Sequence, residues 1–170
     1  MSLIQVDRFR PAEWELYRQL RLSALSEAPD AFGGTYDESK GRPDDEWRVR
    51  LRMLDAEVDF PMCARHAGTP AGMGWVRRFA FGSTSDEGGP AHLYQMWTAP
   101  EFRGRGVGRA LLDCAIAWAA QHADALELGV TWTDSPARRL YESAGFRVVG
   151  TPEPLRPGSH LEIRNMRIDF

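Results

Sequence analysis

The chain has 170 residues, 43% of them hydrophobic, and a formal net charge of −3 at pH 7. That length suits one domain with a buried core, taken here as 1–170, and the scattered charges exclude the basic face of a nucleic-acid binder. No apolar run reaches the length of a membrane span, the amino terminus lacks a signal-peptide pattern, and Cys63 and Cys114 are too few and too far apart for a disulfide framework or a zinc site, so a cytoplasmic protein without a metal or membrane partner is expected.

Residues 3–9 alternate weakly and predict a short strand. Pro11 then opens a helix in which Trp14, Tyr17, Leu20, Leu22 and Leu25 recur at helical spacing until Pro29. Residues 32–40, with Gly33-Gly34 and a polar run, read as a loop; Asp44, Asp45 and Glu46 after Pro43 form the acidic first turn of a second helix reaching Leu54. Residues 60–66 and 71–81 predict a hairpin about Gly68-Thr69-Pro70, 82–90 a polar turn, and 92–98 a third strand of a meander.

The period then changes. Leu111, Leu112, Ala115, Ile116 and Ala119 form a helical stripe, and Leu126, Leu128, Val130 and Trp132 alternate as a strand, so the two strands flanking this helix should be parallel. Residues 135–144 predict a helix stopped by Gly145, 146–150 a strand, the stretch holding Pro152, Pro154 and Pro157 a loop, and 162–169 a closing strand whose exposure would support a homodimer.

Between the third strand and the long helix lies Arg103-Gly104-Arg105-Gly106-Val107-Gly108. A glycine-rich turn opening into a helix brings backbone N–H groups close to a ligand without side chains in the way, and an anion is its natural occupant. It is neither a dinucleotide fingerprint, because Arg109 stands where a glycine is needed, nor a P-loop, because Gly-Lys-Ser/Thr is absent.

The spacing Arg103-x-x-Gly106-x-Gly108 after Pro100 resembles the GCN5-related N-acetyltransferases. So does Asp134-Ser135-Pro136-Ala137-Arg138-Arg139-Leu140-Tyr141 followed by Gly145-Phe146, the likeness being specific over 92–150. The resemblance implies an α/β fold, a mixed twisted sheet of about six to seven strands with helices on both faces. It implies acetyl-CoA as co-substrate, its pyrophosphate on the amides of Arg103, Gly104, Arg105, Gly106, Val107 and Gly108, with Arg103 or Arg105 adding charge. The pantetheine arm would lie along Met96, Trp97 and Thr98 like an added strand. Asp134 stands at the family's usual asparagine.

The implied reaction is direct transfer of an acetyl group to a primary amine of a small molecule or peptide. Tyr141 matches the family's general acid, a phenol of pKa about 10 that keeps its proton at pH 7. His92 is the candidate base, eleven positions before Arg103 where some members place a glutamate; Glu127 is a second candidate, and a chain of waters needs neither. Asp37, Glu38, Asp44, Asp45 and Glu46 read as a solvated face or as an attractor for a cationic amine, and the six tryptophans mainly as core. A binding module that senses acyl-CoA, and transfer of a longer acyl group, are the alternatives.

Overall fold

The computed structural model describes residues 3–78 and 89–170. The strands are β1 (Ile4–Arg8), β2 (Asp59–His66), β3 (Thr69–Arg77), β4 (Ala91–Thr98), β5 (Ala125–Thr131), β6 (Arg147–Pro154) and β7 (Glu162–Asp169), and they form one seven-stranded sheet in the order β1-β2-β3-β4-β5-β7-β6. The helices are α1 (Trp14–Glu27), α2 (Tyr36–Lys40), α3 (Asp44–Arg52), α4 (Val107–His122) and α5 (Pro136–Ser143). As expected of a strand, helix, strand crossover, β4 and β5 are parallel; the other pairs are antiparallel.

Strand alternation divides the core between the two faces of the sheet. Met62, Ala64, Val76, Leu93, Leu126, Leu128 and Met166 pack against Val107, Leu111, Leu112 and Ala115 of α4, with Tyr141 of α5 joining them. On the opposite face Cys63, Met73, Trp75 and Trp97 pack against Tyr17, Leu20 and Leu25 of α1 and Trp47 and Leu51 of α3. Helices on both faces of a mixed sheet are therefore observed, and Trp47, Trp75 and Trp97 are buried core.

Three expectations are corrected. Residues 32–40 are not all loop, because Thr35 caps α2 reciprocally: its hydroxyl accepts from the Glu38 amide at 3.4 Å and the Glu38 carboxylate accepts from the Thr35 amide at 3.0 Å. Residues 152 and 154 lie within β6 rather than in a loop, which proline tolerates because β6 is an edge strand whose register shifts between Val149 and Glu153. The closing strand is no exposed edge: β7 sits between β5 and β6, which pair with both its sides. Residues 79–81 of the predicted strand and 82–88 of the predicted turn lie outside the described residues.

Candidate active site

The site begins with a fault in β4. Its register against β3 shifts between Met73 and Trp75, and Gln95 takes a left-handed conformation, φ 57°. Such a bulge bends a strand and sharpens its twist. The Gln95 side chain is pinned by the Tyr17 hydroxyl, which donates to its Oε1 at 2.9 Å. Across the sheet, β4 pairs with β5 only from Ala91 to Leu93, opposite Leu126 to Leu128. Beyond Leu93 the two strands part, and the β4 edge around Met96, Trp97 and Thr98 has no β5 partner.

At the end of that edge is the glycine turn. Gly104 and Gly106 have φ 70° and 86°, values that would strain any side chain, and Gly106 is the N-cap of α4 without a side-chain cap. The first-turn amides of a sixteen-residue helix are thus left without intrahelical partners just beyond the end of β4. Arg105 is exposed and has no carboxylate partner among the described residues. Arg103 is differently employed: its guanidinium meets Glu27 of α1 through two contacts, 3.0 and 2.6 Å, and its Nε donates to the Thr98 carbonyl at 3.1 Å. Glu27 also accepts from the Trp97 indole at 2.9 Å, so one carboxylate ties α1 to β4 and to the turn. The Arg103 hydrogen bond, with the Trp97 indole and the Arg103 charge behind it, holds the Glu27 carboxyl below its ordinary range.

The gap between β4 and β5 opens into a cavity of about 950 Å³, a size that suits a small ligand or the arm of a larger one. Its walls come from both faces of the sheet. Leu93 and Tyr141 line it from the α4 side, and His92, Tyr94, Gln95, Glu127 and Asn165 line it with Arg21 and Phe32 from the other parts of the molecule. Tyr141 is buried, its hydroxyl has no hydrogen-bond partner among the described residues, and burial raises its pKa, so the phenol keeps its proton. His92 alternates to the face opposite Leu93, stacks on Tyr94 at 6.0 Å, and lies in register with Glu127. Burial lowers the His92 pKa and outweighs the opposing pull of Glu127, leaving a neutral imidazole at pH 7. Glu127 itself accepts from Arg167 at 2.9 Å.

One end of the cavity is bridged by backbone carbonyls of the segment after α1. Arg156 donates to the carbonyls of Phe32 at 3.0 Å and Pro29 at 3.2 Å, and the Thr131 hydroxyl donates to the Asp30 carbonyl at 2.5 Å. The loop between β6 and β7 is thereby clasped to the α1 side.

Among the other residues singled out in the sequence, Asp134 does not line this cavity: its side chain is 83% exposed and pairs with Arg139. Ser135 beside it caps α5, accepting from the Arg138 amide at 3.2 Å. Asp44 and Asp45 pair with Arg18 and Arg48 at the surface, and Glu38 caps α2, so these acids do not line the cavity. Cys63 is buried under α1 and its pKa is pushed up to about 11 by that burial; Cys114 is raised for the same reason. Arg21, Phe32, Tyr94, Gln95 and Asn165 were not singled out from the sequence. The one trace of them there is Gly129, over which Asn165 reaches the cavity in a strand otherwise rich in side chains.

A fold with a parted parallel strand pair, a glycine turn capping the following helix and a cavity between them defines an acetyltransferase scaffold. Residues 15–146 match the acetyltransferase (GNAT) family, and the chain belongs to it. Mycothiol acetyltransferase of Propionibacterium freudenreichii subsp. shermanii is 27% identical over 164 residues, covering 94% of this chain and 49% of that protein. The mycothiol acetyltransferase of Thermobispora bispora is 30% identical over 146 residues, 84% of this chain and 46% of that protein. The chain thus spans about half the length of the curated relatives it matches. Among solved structures, YncA from Salmonella typhimurium, determined with its cofactor acetyl-CoA, superposes with a TM-score of 0.79 at 15% identity, over 99% of this chain and 94% of that one. A GCN5-related N-acetyltransferase from Kribbella flavida gives 0.77 at 24% identity, over 99% and 98%. No helix among the described residues is long and apolar enough to cross a membrane, and none of their His, Cys, Asp and Glu groups could hold a metal.

Proposed function

We propose that this protein is a cytoplasmic acetyl-CoA-dependent N-acetyltransferase that acts by direct transfer to a primary amine of a small molecule or peptide, its 170 residues working as one catalytic domain. The observation that carries the reading is the parting of β4 and β5 beyond Leu93, which makes a cavity with Tyr141 on one side of the sheet and His92 on the other. The chain's residues fit the group. The amides of the 103–108 turn and the α4 N-terminus suit a pyrophosphate, Arg105 adds charge, and the unpaired β4 edge at Met96, Trp97 and Thr98 suits an arm bearing amides. Arg103 serves here through its backbone and as a strut to Glu27. Asp134 would reach the arm only by releasing Arg139.

Acetyl-CoA supplies an activated thioester. His92 accepts the proton that the attacking amine nitrogen sheds as its bond to the acetyl carbon forms, and Tyr141 donates a proton to the sulfur as the carbon–sulfur bond breaks. Its unpartnered hydroxyl leaves that proton uncommitted. Both thiols stay protonated well above neutrality, which supports direct transfer over an acetyl-cysteine step. The test is thiol release from acetyl-CoA across a panel of primary amines, with coenzyme A binding measured by calorimetry on the same sample. Acceptor-dependent release is expected. Tight binding without release for any amine would turn the reading to a sensor, and absence of binding would remove the cofactor assignment.

A further inference from the structure

Four fully charged side chains line the cavity: Arg21, Glu27, Asp30 and Glu127. Each acid among them already faces an arginine, Glu27 with Arg103 at 2.6 Å, Asp30 with Arg156 at 3.7 Å and Glu127 with Arg167 at 2.9 Å. Arg21 faces no acid among the described residues. Its Nη1 is buried without a hydrogen-bond partner, and its guanidinium lies on the Phe32 ring, 4.7 Å from the centroid. Arg42 and Arg50 are close enough to disfavour its charge, and neither makes a close ion pair with a carboxylate among the described residues. Burial depresses the Arg21 pKa to about 10, against an opposing pull from Tyr17 and with Arg50 and Arg42 adding smaller repulsions.

A buried guanidinium with an idle N–H is costly unless an anion meets it. Stacking on Phe32 occupies the face of the group and leaves its edge, the side that grips a carboxylate with two parallel hydrogen bonds. Nη2 borders Gly34, whose missing side chain leaves that flank of the guanidinium uncovered; an added Cβ there would come within 3.8 Å of Nη2. We propose that the acceptor amine also bears a carboxylate and that Arg21 is the residue that binds it. This rests on the reading of the cavity as an acyl-transfer site, and it makes the substrate an amino acid or an acidic peptide rather than a simple amine or polyamine.

The test titrates the coenzyme A-loaded protein calorimetrically with the common L-amino acids and with the same amino acids as carboxamides, while turnover with acetyl-CoA is followed in parallel. A third arm compares amidated short peptides holding Glu with their Gln counterparts. The acid of the preferred pair should bind more tightly by on the order of 30-fold or more, since unpairing a buried charge contact has at least that effect. Preference in the first arm assigns a free amino acid, and preference confined to the third assigns a peptide side chain. Arg21→Gln should collapse the acid-to-amide ratio toward unity, and Arg21→Lys should retain part of it, with melting temperature and coenzyme A affinity reporting an intact fold.

If Arg21→Gln does not fold, the wild-type ratio and the Arg21→Lys variant decide. Equal binding of acid and amide by the wild type, or a loss in Arg21→Gln that is equal for both, overturns the assignment. Turnover without acid preference leaves acetyl transfer standing and removes the role of Arg21. Acid-selective binding without turnover does the reverse, and the absence of both removes both.

Discussion

The two ends of the candidate site, the turn beyond β4 and the side-chain-lined cavity, are built in opposite ways. At the α4 end, recognition rests on main chain: an uncapped helix start, two glycines at positive φ and a strand edge without a neighbour. At the α1 end it rests on side chains drawn from α1, the segment after it, β4, β5 and β7, with Arg21, His92 and Asn165 coming from residues more than 140 positions apart. A main-chain site has to be written as a contiguous run of special residues, whereas a side-chain site needs only single residues delivered by the fold. The first kind is suited to a ligand common to many relatives, and the second to one that differs among them.

The sharpest way to break this contrast is at Tyr141, where the two ends meet. Tyr141→Phe should lower turnover by about 10² to 10⁴ if the phenol is the general acid. Because the hydroxyl has no partner among the described residues, its loss should leave the melting temperature unchanged or raised. Wild-type turnover in that variant would reduce Tyr141 to a core residue. The next effect belongs to His92. Its burial sets the folded pKa below the ordinary value of about 6.5, so kcat/KM should rise with pH along a limb lying below that value and then level. His92→Gln should lower kcat/KM by about 10² and erase that limb. A limb that persists in the variant would assign the base to another group or to water.

What the sequence discloses follows the same division. The 103–108 turn is legible because its glycines have no cheaper explanation, and the crossover through α4 requires β4 and β5 to be parallel, as they are. The Gln95 bulge is not legible: a glutamine at positive φ has no local signature, and what holds it is Tyr17, seventy-eight residues away. Arg21 reads as an ordinary polar position of an amphipathic helix, and only the fold shows that every acid near it is taken. Glu38, Asp44 and Asp45 stand out in sequence as charge, yet Glu38 caps α2 and the two aspartates pair with arginines at the surface, partners that the sequence does not disclose. Thr35-x-x-Glu38 is a different case, a capping box written plainly within a stretch whose glycines and polar residues read as loop.

A smaller effect tests whether the α4 end works through its backbone. Gly106→Ala places a Cβ at a left-handed position, at a cost of roughly 1–2 kcal/mol, and should weaken coenzyme A binding about tenfold if the turn moves to relieve it. Arg105→Ala removes one exposed charge contact of about 0.3 to 1 kcal/mol and should weaken binding no more than about fivefold. Calorimetry of both variants against the wild type gives the order. If Arg105→Ala has the larger effect, the turn is a charge site with glycine punctuation and the contrast between the two ends weakens.

The smallest effect expected concerns the residue that belongs to both ends. Glu27 sits in α1 and holds Trp97 of β4 and Arg103 of the turn, so Glu27→Gln should loosen the turn without touching its amides. The contact is partly exposed, and screening limits it to about 0.2–1 kcal/mol, a weakening of coenzyme A binding of at most about fivefold. Its pH dependence has a definite sign. The folded carboxyl, bound by Arg103, titrates below the unfolded value of about 4.3. Its contribution is therefore complete above that value and is lost as pH falls through the folded one. The melting-temperature gap between wild type and Glu27→Gln should accordingly be constant from pH 7 down to about 5 and close below pH 4. A gap that does not change with pH would mean that the Glu27 carboxylate acts by shape rather than charge. Unaltered coenzyme A binding in the variant would mean that the main-chain end stands without help from α1, and that the two ends are coupled only through Tyr141 and the cavity itself.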